Sequence, residues 1–296
     1  MMKKPGFIAA LDQSGGSTPG ALKRYGGEEL LSQCPTIESQ MDAIHDFRIR
    51  VMTSDHFNSQ KVVAAILFTD TLKRTVDGLP TAQYLWQQKG IVPFLKIDQG
   101  LEADNGGYQL MKPIDNLQEL LELSIEHGVF GTKARSVINH GTSVGIELIL
   151  AQQFELAQAI IQAGLTPIIE PEVSVACLNK AETEMYLAMA LKKHLDKLAP
   201  GQDVILKLTI PEDPQAYEQL TRHPNVMRVV ALSGGHSQKV ATSLLQNCRN
   251  ISASFSRALL EGLTANMKPP YFNATLGASI DEIYRASTNQ SPAVAA

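Results

Sequence analysis

The stretch VILKLTIP, residues 204–211, decides the fold class of this chain, and it carries a single lysine at its centre. A short apolar and β-branched run that is closed by proline is typical of a buried strand in a parallel sheet. Lysine is almost never fully buried unless another group pairs with it. The stretch therefore predicts a core strand, and it raises the question of what Lys207 faces.

Seven further apolar runs of this kind occur along the chain. The eight candidate strands are residues 6–11, 62–68, 91–97, 128–132, 166–169, 204–208, 227–232 and 251–255. Amphipathic segments between them, such as residues 117–127, 145–163 and 181–198, have the pattern of helices. This alternation implies parallel strands joined by crossover helices.

Eight such strands in 296 residues predict a (β/α)8, or TIM, barrel of the α/β class over about residues 6–259. A doubly wound open sheet is the alternative, and it is disfavoured because no GxGxxG pattern follows the first strand. No linker or tandem repeat divides the chain, so we expect one catalytic domain over residues 1–296.

Two segments add to the simplest barrel. Residues 22–61 separate the first two strands and are expected to be mostly helical. Residues 260–296 form a C-terminal tail with a helix near residues 280–285, and we expect about the last six residues to be disordered.

Composition excludes several classes of protein. A net charge of −4 and a pI near 6.0 argue against nucleic-acid binding. Three cysteines without a CxxC pair fit a reducing cytoplasm. The apolar stretch near the N-terminus is too short for a signal peptide, and no later run is expected to span a membrane. The histidines are scattered, so we expect no metal site and no cofactor. The oligomeric state stays open.

The ends of the predicted strands carry the residues suited to chemistry. In a barrel the active site lies at the carboxyl ends of the strands. The polar residues there are Asp12, Lys96, Asp98, Lys133, Arg135, Glu170, Glu172, Lys207, Ser233 and Arg257. Polar strand ends are ordinary one at a time, and Asp70 after the second strand has the simpler reading of a helix cap. Burying so many charges without use would cost several kcal/mol per unpaired ion.

A buried lysine among carboxylates predicts nucleophilic catalysis. Low dielectric and a nearby cation such as Lys133 favour a neutral amine, whereas Glu170 and Glu172 favour the ammonium, and the sequence leaves the balance open. A neutral amine adds to a ketone and forms a Schiff base, for which a glutamate supplies the proton. The iminium then accepts electrons when a carbon–carbon bond breaks, and a second carboxylate takes the hydroxyl proton.

Two serine–glycine loops predict phosphate sites. Ser233 and Gly234 follow the seventh strand, where barrels often bind phosphate, and Arg257 follows the eighth. The loop from Ser14 to Ser17 follows the first strand, and Lys96 is the cation expected near it. Two loops, each with a cation on a neighbouring strand, favour a substrate with two phosphates.

Eight segments of the chain resemble those of one known family: AALDQSGGS (9–17), ILFTDTL (66–72), PFLKIDQG (93–100), GTKARSVI (131–138), PIIEPEV (167–173), LKLTIP (206–211), LSGGHS (232–237) and SFSRAL (254–259). They occur in that family's order and span the predicted barrel. On these segments the chain resembles the class I fructose-1,6-bisphosphate aldolases in their shorter bacterial form. The resemblance implies reversible, metal-independent cleavage of fructose 1,6-bisphosphate to dihydroxyacetone phosphate and glyceraldehyde 3-phosphate, a step of glycolysis and gluconeogenesis.

The resemblance also implies a role for each matching residue. Lys207 would form the Schiff base, Glu170 would be its acid and base, and Glu172 would hold the network. Asp12 and Lys133 would act at the C3–C4 bond, with Arg135 beside the site. The phosphate near the keto carbon would bind Ser233, Gly234 and Arg257, and the distal phosphate would bind Ser14, Ser17 and Lys96.

Three features depart from the family's longer members. Gln13 stands where they have glutamate, and Phe255-Ser256-Arg257 replaces Tyr-Gly-Arg. The chain also has no tyrosine after Tyr284, whereas the longer members end in a tyrosine that assists proton transfer; Tyr271 and Tyr284 are the candidate substitutes. The alternatives are another Schiff-base barrel, such as a transaldolase or a single-phosphate aldolase, and a non-catalytic barrel.

Overall fold

The computed structural model describes residues 4–12 and 18–288, and its centre is a closed barrel of eight parallel strands. The strands are β1 (Phe7–Leu11), β2 (Val62–Leu67), β3 (Val92–Lys96), β4 (Gly131–Ile138), β5 (Thr166–Val173), β6 (Val204–Thr209), β7 (Val226–Leu232) and β8 (Ile251–Phe255). Each strand pairs with the next, and β8 pairs with β1, which closes the ring. The predicted (β/α)8 barrel is confirmed, and the open sheet is wrong.

The eight predicted strands all exist, but two of them are longer than the apolar pattern indicated. β4 and β5 continue past the predicted ends at residues 132 and 169, to Ile138 and Val173. The two strands remain paired beyond those residues, and in this register Arg135 lies opposite Glu170. Charged side chains interrupt the apolar pattern there because they face the mouth of the barrel, while the backbone stays extended.

Helices surround the barrel. They are α1 (Thr18–Gln33), α2 (Ile37–Thr53), α3 (Thr69–Leu72), α4 (Thr81–Lys89), α5 (Leu117–Glu126), α6 (Ser143–Gln162), α7 (Lys180–Leu195), α8 (Gln238–Leu245) and α9 (Pro269–Thr288). The three helices predicted from their patterns correspond to α5, α6 and α7. The crossover from β6 to β7 contains a 3-10 helix, Glu218–Arg222, in place of an α-helix. Short antiparallel pieces are the hairpin Thr75–Val76 with Leu79–Pro80, and Tyr108–Gln109, which pairs with β4.

The segment between the first two strands forms α1 and α2, as expected from its helical pattern. The amino end of α2 is closed by a capping box, in which Thr36 and Ser39 each accept a hydrogen bond from the other's backbone N–H. At the other end of the chain, α9 is much longer than the predicted residues 280–285. A buried stripe of Phe272, Leu276 and Ile280 extends it towards its amino end. The expected disorder of the last six residues lies outside the described residues.

The expectation that no run reaches membrane-spanning length is wrong for α6. By length and composition this helix could cross a membrane, and 44% of its most apolar window is buried within the protein. Ile149 and Leu150 of α6 are fully buried, and the helix packs on β4 and β5. Packing on the barrel therefore accounts for the buried part of this apolar composition.

A small apolar cluster fills the barrel and determines which side chains reach the mouth. Ile8 and Ala10 of β1 belong to it, together with Ile168 of β5 and Ile205 of β6. Alternate residues of a strand point to the same face. The next inward positions are therefore Asp12, Glu170 and Lys207, which lie directly above the apolar layers.

Candidate active site

A cavity of about 470 Å³ opens at the carboxyl end of the barrel, where the sequence predicted the site. Ten predicted site residues line it: Asp12, Lys96, Lys133, Arg135, Glu170, Glu172, Lys207, Ser233, Gly234 and Arg257. Ser14 and Ser17 lie outside the described residues. Residues that are 245 positions apart in sequence thus share one cavity because the closed ring brings every strand to the same mouth.

Lys207 lies in the middle of β6 and is only 4% exposed. Its Nζ is 3.0 Å from Glu170 Oε1, and that glutamate is 3% exposed. Lys207 is thus a buried, ion-paired lysine whose side chain lines the cavity, which answers the question that its apolar strand raised.

Lys133 is the centre of the charge network. Its Nζ lies 2.7 Å from Asp12 Oδ2, 2.9 Å from Glu170 Oε2 and 3.8 Å from Asp98 Oδ2. Burial opposes the charge on this lysine, but the three carboxylates outweigh burial and raise its pKa well above the ordinary value. Lys133 is therefore a fixed cation that stays protonated.

Asp12 is held as a carboxylate by its lysine neighbours. Burial alone would raise its pKa, but the charges of Lys133 and Lys207, with a further contribution from Lys96, hold the pKa well below the usual range. An ionised acceptor thus stands at the end of β1, next to the Lys133 ammonium.

Glu170 connects the two lysines through its two oxygen atoms. Oε1 faces Lys207, and Oε2 faces Lys133. Oε2 is buried, and within the described part of the chain it has no hydrogen bond of good geometry, although the Lys133 ammonium is close. A buried carboxylate oxygen with an unused lone pair is suited to exchange a proton with a bound molecule.

Glu172 differs from the expectation that it would be a partner of Lys207. Its Oε2 accepts a hydrogen bond from Arg135 Nη1 at 2.9 Å. Burial opposes the charge of Arg135, but Glu172 outweighs it and raises the arginine pKa. Glu172 lies two residues beyond Glu170 along β5. Its carboxylate pairs with Arg135, whereas Lys207 pairs with Glu170.

Asp98 also lines the cavity, and the sequence placed it at the end of the third strand without assigning it a role. Lys96 Nζ lies 2.7 Å from its Oδ1 and donates to its backbone carbonyl at 2.7 Å. The backbone N–H of Arg135 donates to its Oδ2 at 3.3 Å. Asp98 is 6% exposed and therefore neutralises Lys96 inside the site. The signal for it was its i+2 spacing from Lys96, which places both side chains on the inner face.

The loop after β7 requires glycine and contacts Arg257. Gly234 and Gly235 have φ of 61° and 107°. A Cβ on Gly234 would lie 2.4 Å from Cγ1 of Val175, and one on Gly235 would lie 3.5 Å from Nη2 of Arg257. The guanidinium of Arg257 therefore lies beside Gly235, and a glycine loop next to a guanidinium is suited to an anion.

Two serines of the eighth-strand region also line the cavity and were not predicted as site residues. The hydroxyls of Ser254 and Ser256 are buried and have no hydrogen-bond partner among the described residues. Ser256 replaces the glycine of longer relatives, but it is not among the described residues with positive φ. The serine is therefore accommodated without backbone strain, and its hydroxyl is available to a ligand.

Three further expectations concern the two tyrosines, Asp70 and a metal site. Neither Tyr271 nor Tyr284 is among the described residues that line the cavity. Asp70 lies in the first turn of α3 and forms an ion pair with Arg74 at 2.9 Å, so it is not the cap of that helix. Among residues 4–12 and 18–288, no group of three or more histidine, cysteine or acidic side chains has the arrangement of a metal site.

A closed (β/α)8 barrel with a buried lysine–glutamate pair at its carboxyl mouth defines the class of barrel enzymes with a lysine-centred site. Comparison with known proteins gives the family. Residues 31–209 match the family model of the glycolytic class-I fructose-bisphosphate aldolases. The chain is 54% identical over 288 residues to fructose-bisphosphate aldolase class 1 of Synechocystis sp. (strain ATCC 27184 / PCC 6803 / Kazusa), which covers 97% of this chain and 95% of that protein.

The chain belongs to the class I fructose-bisphosphate aldolase family. It is accordingly a lyase of glycolysis that cleaves fructose 1,6-bisphosphate reversibly through a lysine Schiff base and without a metal. The alternatives of a transaldolase and of a non-catalytic barrel are therefore wrong.

Two solved structures share the fold. A fructose-bisphosphate aldolase from Plasmodium falciparum, solved in a ternary complex with TRAP and a small-molecule inhibitor, superposes with a TM-score of 0.75 at 19% identity, covering 99% of this chain and 94% of that chain. Cgl0159 from Corynebacterium glutamicum superposes with a TM-score of 0.56 at 14% identity, covering 96% and 85%. At these identities the likeness concerns the barrel alone.

Proposed function

We propose that Lys207 is the residue that forms the Schiff base with fructose 1,6-bisphosphate, and that Glu170 is its acid and base. The observation that carries this proposal is the buried 3.0 Å pair of Lys207 Nζ and Glu170 Oε1 in the cavity. The other lysine at the centre of the mouth, Lys133, is surrounded by three carboxylates and stays protonated, so it is a poor nucleophile.

Schiff-base formation follows from this pair. Lys207 passes a proton to Glu170 across the 3.0 Å contact, and its free amine adds to the C2 ketone of the substrate. The Glu170 carboxyl then returns a proton to the carbinolamine hydroxyl, which leaves as water when the iminium forms. Glu170 is suited to both transfers because it is buried and because its Oε2, although close to Lys133, has no hydrogen bond of good geometry within the described residues.

Carbon–carbon cleavage requires a base for the proton of the C4 hydroxyl. We assign this role to Asp12, which its lysine neighbours hold as a carboxylate, with Lys133 as the adjacent fixed charge. Loss of that proton breaks the C3–C4 bond, and the bonding electrons pass into the iminium to give an enamine and free glyceraldehyde 3-phosphate. Protonation at C3 and hydrolysis of the iminium then release dihydroxyacetone phosphate and restore the Lys207 amine.

The substrate is held by its two phosphates in this proposal. Ser233, Gly234 and Arg257 bind the phosphate beside the keto carbon, because the glycine loop and the guanidinium are adjacent. Ser14, Ser17 and Lys96 serve the distal phosphate. Arg135, oriented by Glu172 at 2.9 Å, lies beside the reacting carbons.

Borohydride reduction in the presence of substrate tests the central assignment. Reduction of the iminium should attach the three-carbon or six-carbon sugar phosphate to the peptide that contains Lys207, as measured by peptide mass spectrometry. Lys207→Ala should abolish both the adduct and the cleavage activity. Lys112→Ala, which removes an exposed lysine outside the cavity, is the control. An adduct on any other lysine would overturn the proposal.

We also propose that residues 1–296 form one catalytic domain that acts in the cytoplasm on a small phosphorylated sugar, without nucleic-acid or membrane partners. Cys34, Cys177 and Cys248 are all buried and unpaired, which suits a reducing compartment. Fractionation of the source cells tests this: activity in the membrane pellet after a salt wash would contradict it.

A further inference from the structure

Two lysines face each other across neighbouring strands at the mouth of the barrel. In the register of β3 and β4, Lys96 lies directly opposite Lys133. Both side chains line the cavity, and both residues are buried. Like charges on directly opposite residues of a sheet repel each other, and burial strengthens this repulsion because the local dielectric is low. The two lysines therefore require a counter-charge that reaches both ammonium groups.

Asp98 is a carboxylate that contacts both lysines. Lys96 Nζ lies 2.7 Å from its Oδ1, and Lys133 Nζ lies 3.8 Å from its Oδ2. The pairing of the two strands continues one residue past the end of β3, where the N–H of Ile97 donates to the carbonyl of Lys133 at 2.9 Å. Asp98 is the next residue, and its spacing of two from Lys96 places both side chains on the same face.

Two backbone N–H groups hold the Asp98 carboxylate in place. Gly100 donates to Oδ1 and Arg135 donates to Oδ2, each at 3.3 Å. Each carboxylate oxygen thus has one lysine and one backbone donor as its neighbours. A buried carboxylate that is fixed in this way presents a separate oxygen to each lysine, so it both neutralises the two ammonium groups and keeps them apart.

The contacts of Lys96 leave one donor for a molecule in the cavity. An ammonium group has three N–H donors. One of them reaches Asp98 Oδ1 and another donates to the Asp98 backbone carbonyl, both at 2.7 Å. Within the described residues, Asp98 alone thus accounts for two donors of Lys96 and determines where the third can point.

Lys133 depends on Asp98 in a different way. Asp12 and Glu170 contact its ammonium at 2.7 and 2.9 Å, and Asp98 is the third carboxylate near it. Without Asp98, the Lys133 ammonium would lie opposite the charge of Lys96 with no shared counter-charge. The repulsion between the two lysines would then displace Lys133 from Asp12.

We propose that Asp98 is a positioning residue for aldol cleavage, which separates two opposed lysine charges and so keeps Lys133 beside Asp12 and Glu170 while it directs Lys96 into the cavity. It acts through the two lysines and does not touch the substrate. This inference rests on the proposed function, in which Asp12 takes the hydroxyl proton next to the fixed charge of Lys133.

A double-variant cycle tests the inference. Asp98→Asn removes the charge and keeps the shape, and kcat per active site should fall about 100-fold, the usual effect of misplacing a group by about 1 Å. Adding Lys96→Met to that variant removes the repulsion, so kcat should rise again by at least roughly tenfold. In the wild type, Lys96→Met should instead change kcat by less than about threefold and act mainly on KM.

Two measurements and one control complete the experiment. Active sites are counted by borohydride trapping of the substrate on Lys207, so that a loss of folded enzyme is not mistaken for a loss of kcat. Urea denaturation gives an independent reading, because the midpoint of the double variant should exceed that of Asp98→Asn. Glu102→Gln is the control: it removes an exposed carboxylate from the same loop, outside the cavity lining, and should leave kcat unchanged.

Additive losses, in which Lys96→Met lowers both the kcat and the midpoint of Asp98→Asn further, would overturn the inference, as would an unchanged kcat in Asp98→Asn. If Asp98→Asn does not fold, folding of the double variant supports the inference, and failure of both contradicts it. Absence of a trapped adduct in the wild-type enzyme would instead refute the proposed function, and the denaturation midpoints would still decide whether Asp98 separates the two lysines.

Discussion

Asp12 Oδ2 and Lys133 Nζ lie 2.7 Å apart at the mouth of the barrel, and both side chains are at least nine-tenths buried. Each therefore fixes the ionisation of the other: the aspartate pKa lies well below its usual range, and the lysine pKa well above. The pair joins β1 to β4, strands that are not neighbours in the ring, across the interior.

Lys133→Met should lower both stability and activity. The change leaves the carboxylates of Asp12 and Glu170 buried without their shared cation, at a cost of about 3–5 kcal/mol in the free energy of unfolding. Urea denaturation at pH 7 measures this loss. Met fills the volume of the lysine stem, so a loss below about 1 kcal/mol would mean that the pair contributes little.

The pH dependence of that variant should also change in a defined direction. In the wild type the folded-state pKa of Asp12 is below its unfolded value of about 3.9, so this carboxylate stabilises the fold above that pH and the contribution is lost on acidification. Burial raises the pKa of Asp12, and the loss of Lys133 removes the strongest influence that opposes burial, so this pKa should rise relative to the wild type. The acid limb of kcat/KM should therefore move to higher pH, as a pH–rate profile would record.

Glu170→Gln should impair the proton transfers while keeping the shape of the site. We expect kcat to fall by about 10²–10⁴-fold, the usual range for loss of a general acid or base. Rapid mixing with borohydride should show slower formation of the Lys207 adduct. Glu172→Gln is the matched control, because Glu172 contacts Arg135 and is farther along β5; an equal effect of both substitutions would contradict the role of Glu170.

Gly234→Ala should damage phosphate binding through the backbone. The residue has φ of 61°, which costs about 1–2 kcal/mol for an L-residue, and the new methyl group would lie 2.4 Å from Val175 Cγ1. KM for fructose 1,6-bisphosphate should rise together with a loss of stability. Gly78→Ala isolates the effect of the backbone conformation, because Gly78 has φ of 79° with open space around it and is not among the residues that line the cavity.

The double variant Gly234→Ala, Val175→Ala should recover part of the stability by removing the clash, but not the part due to φ. Full recovery in thermal unfolding would show that the side-chain collision alone was responsible.

A second buried ion pair, between Lys180 and Glu184 of α7, should be important for stability. Lys180 pairs with Glu184 on α7 and donates to the carbonyl of Ile210 at 2.8 Å, while Glu184 accepts from the N–H of Glu212 at 2.9 Å. The pair thus attaches α7 to the chain that leaves β6. Lys180→Met should cost about 3–5 kcal/mol in the free energy of unfolding, because Glu184 is left buried without a cation.

Lys192→Met provides the comparison for that substitution. It removes an exposed pair with Asp196 at the same i,i+4 spacing, so its effect on the free energy of unfolding should be much smaller in chemical denaturation. Comparable losses in the two variants would show that burial does not distinguish the pairs.

The sequence predicted the eight strands because each is an apolar run with its own turn signals, and this signal is local. It also predicted most of the site, since barrels place functional groups at the carboxyl ends of their strands. The ends of β4 and β5 were placed too early, because charged inward side chains such as Arg135 and Glu172 resemble the start of a loop. Ser254 was passed over because a serine within an apolar strand is ordinary on its own, and Asp98 was placed at the mouth but given no role.

Local patterns in the sequence account for the class of fold and for the set of groups at the mouth of the barrel, since the alternation of strands and helices and the inward period of two are properties of neighbouring residues. The ion pairs were visible in the tertiary structure alone: Glu172 pairs with Arg135, and Glu170 pairs with both Lys133 and Lys207. These contacts join side chains from different strands, and their distances depend on strand register and ring closure, which no local pattern records.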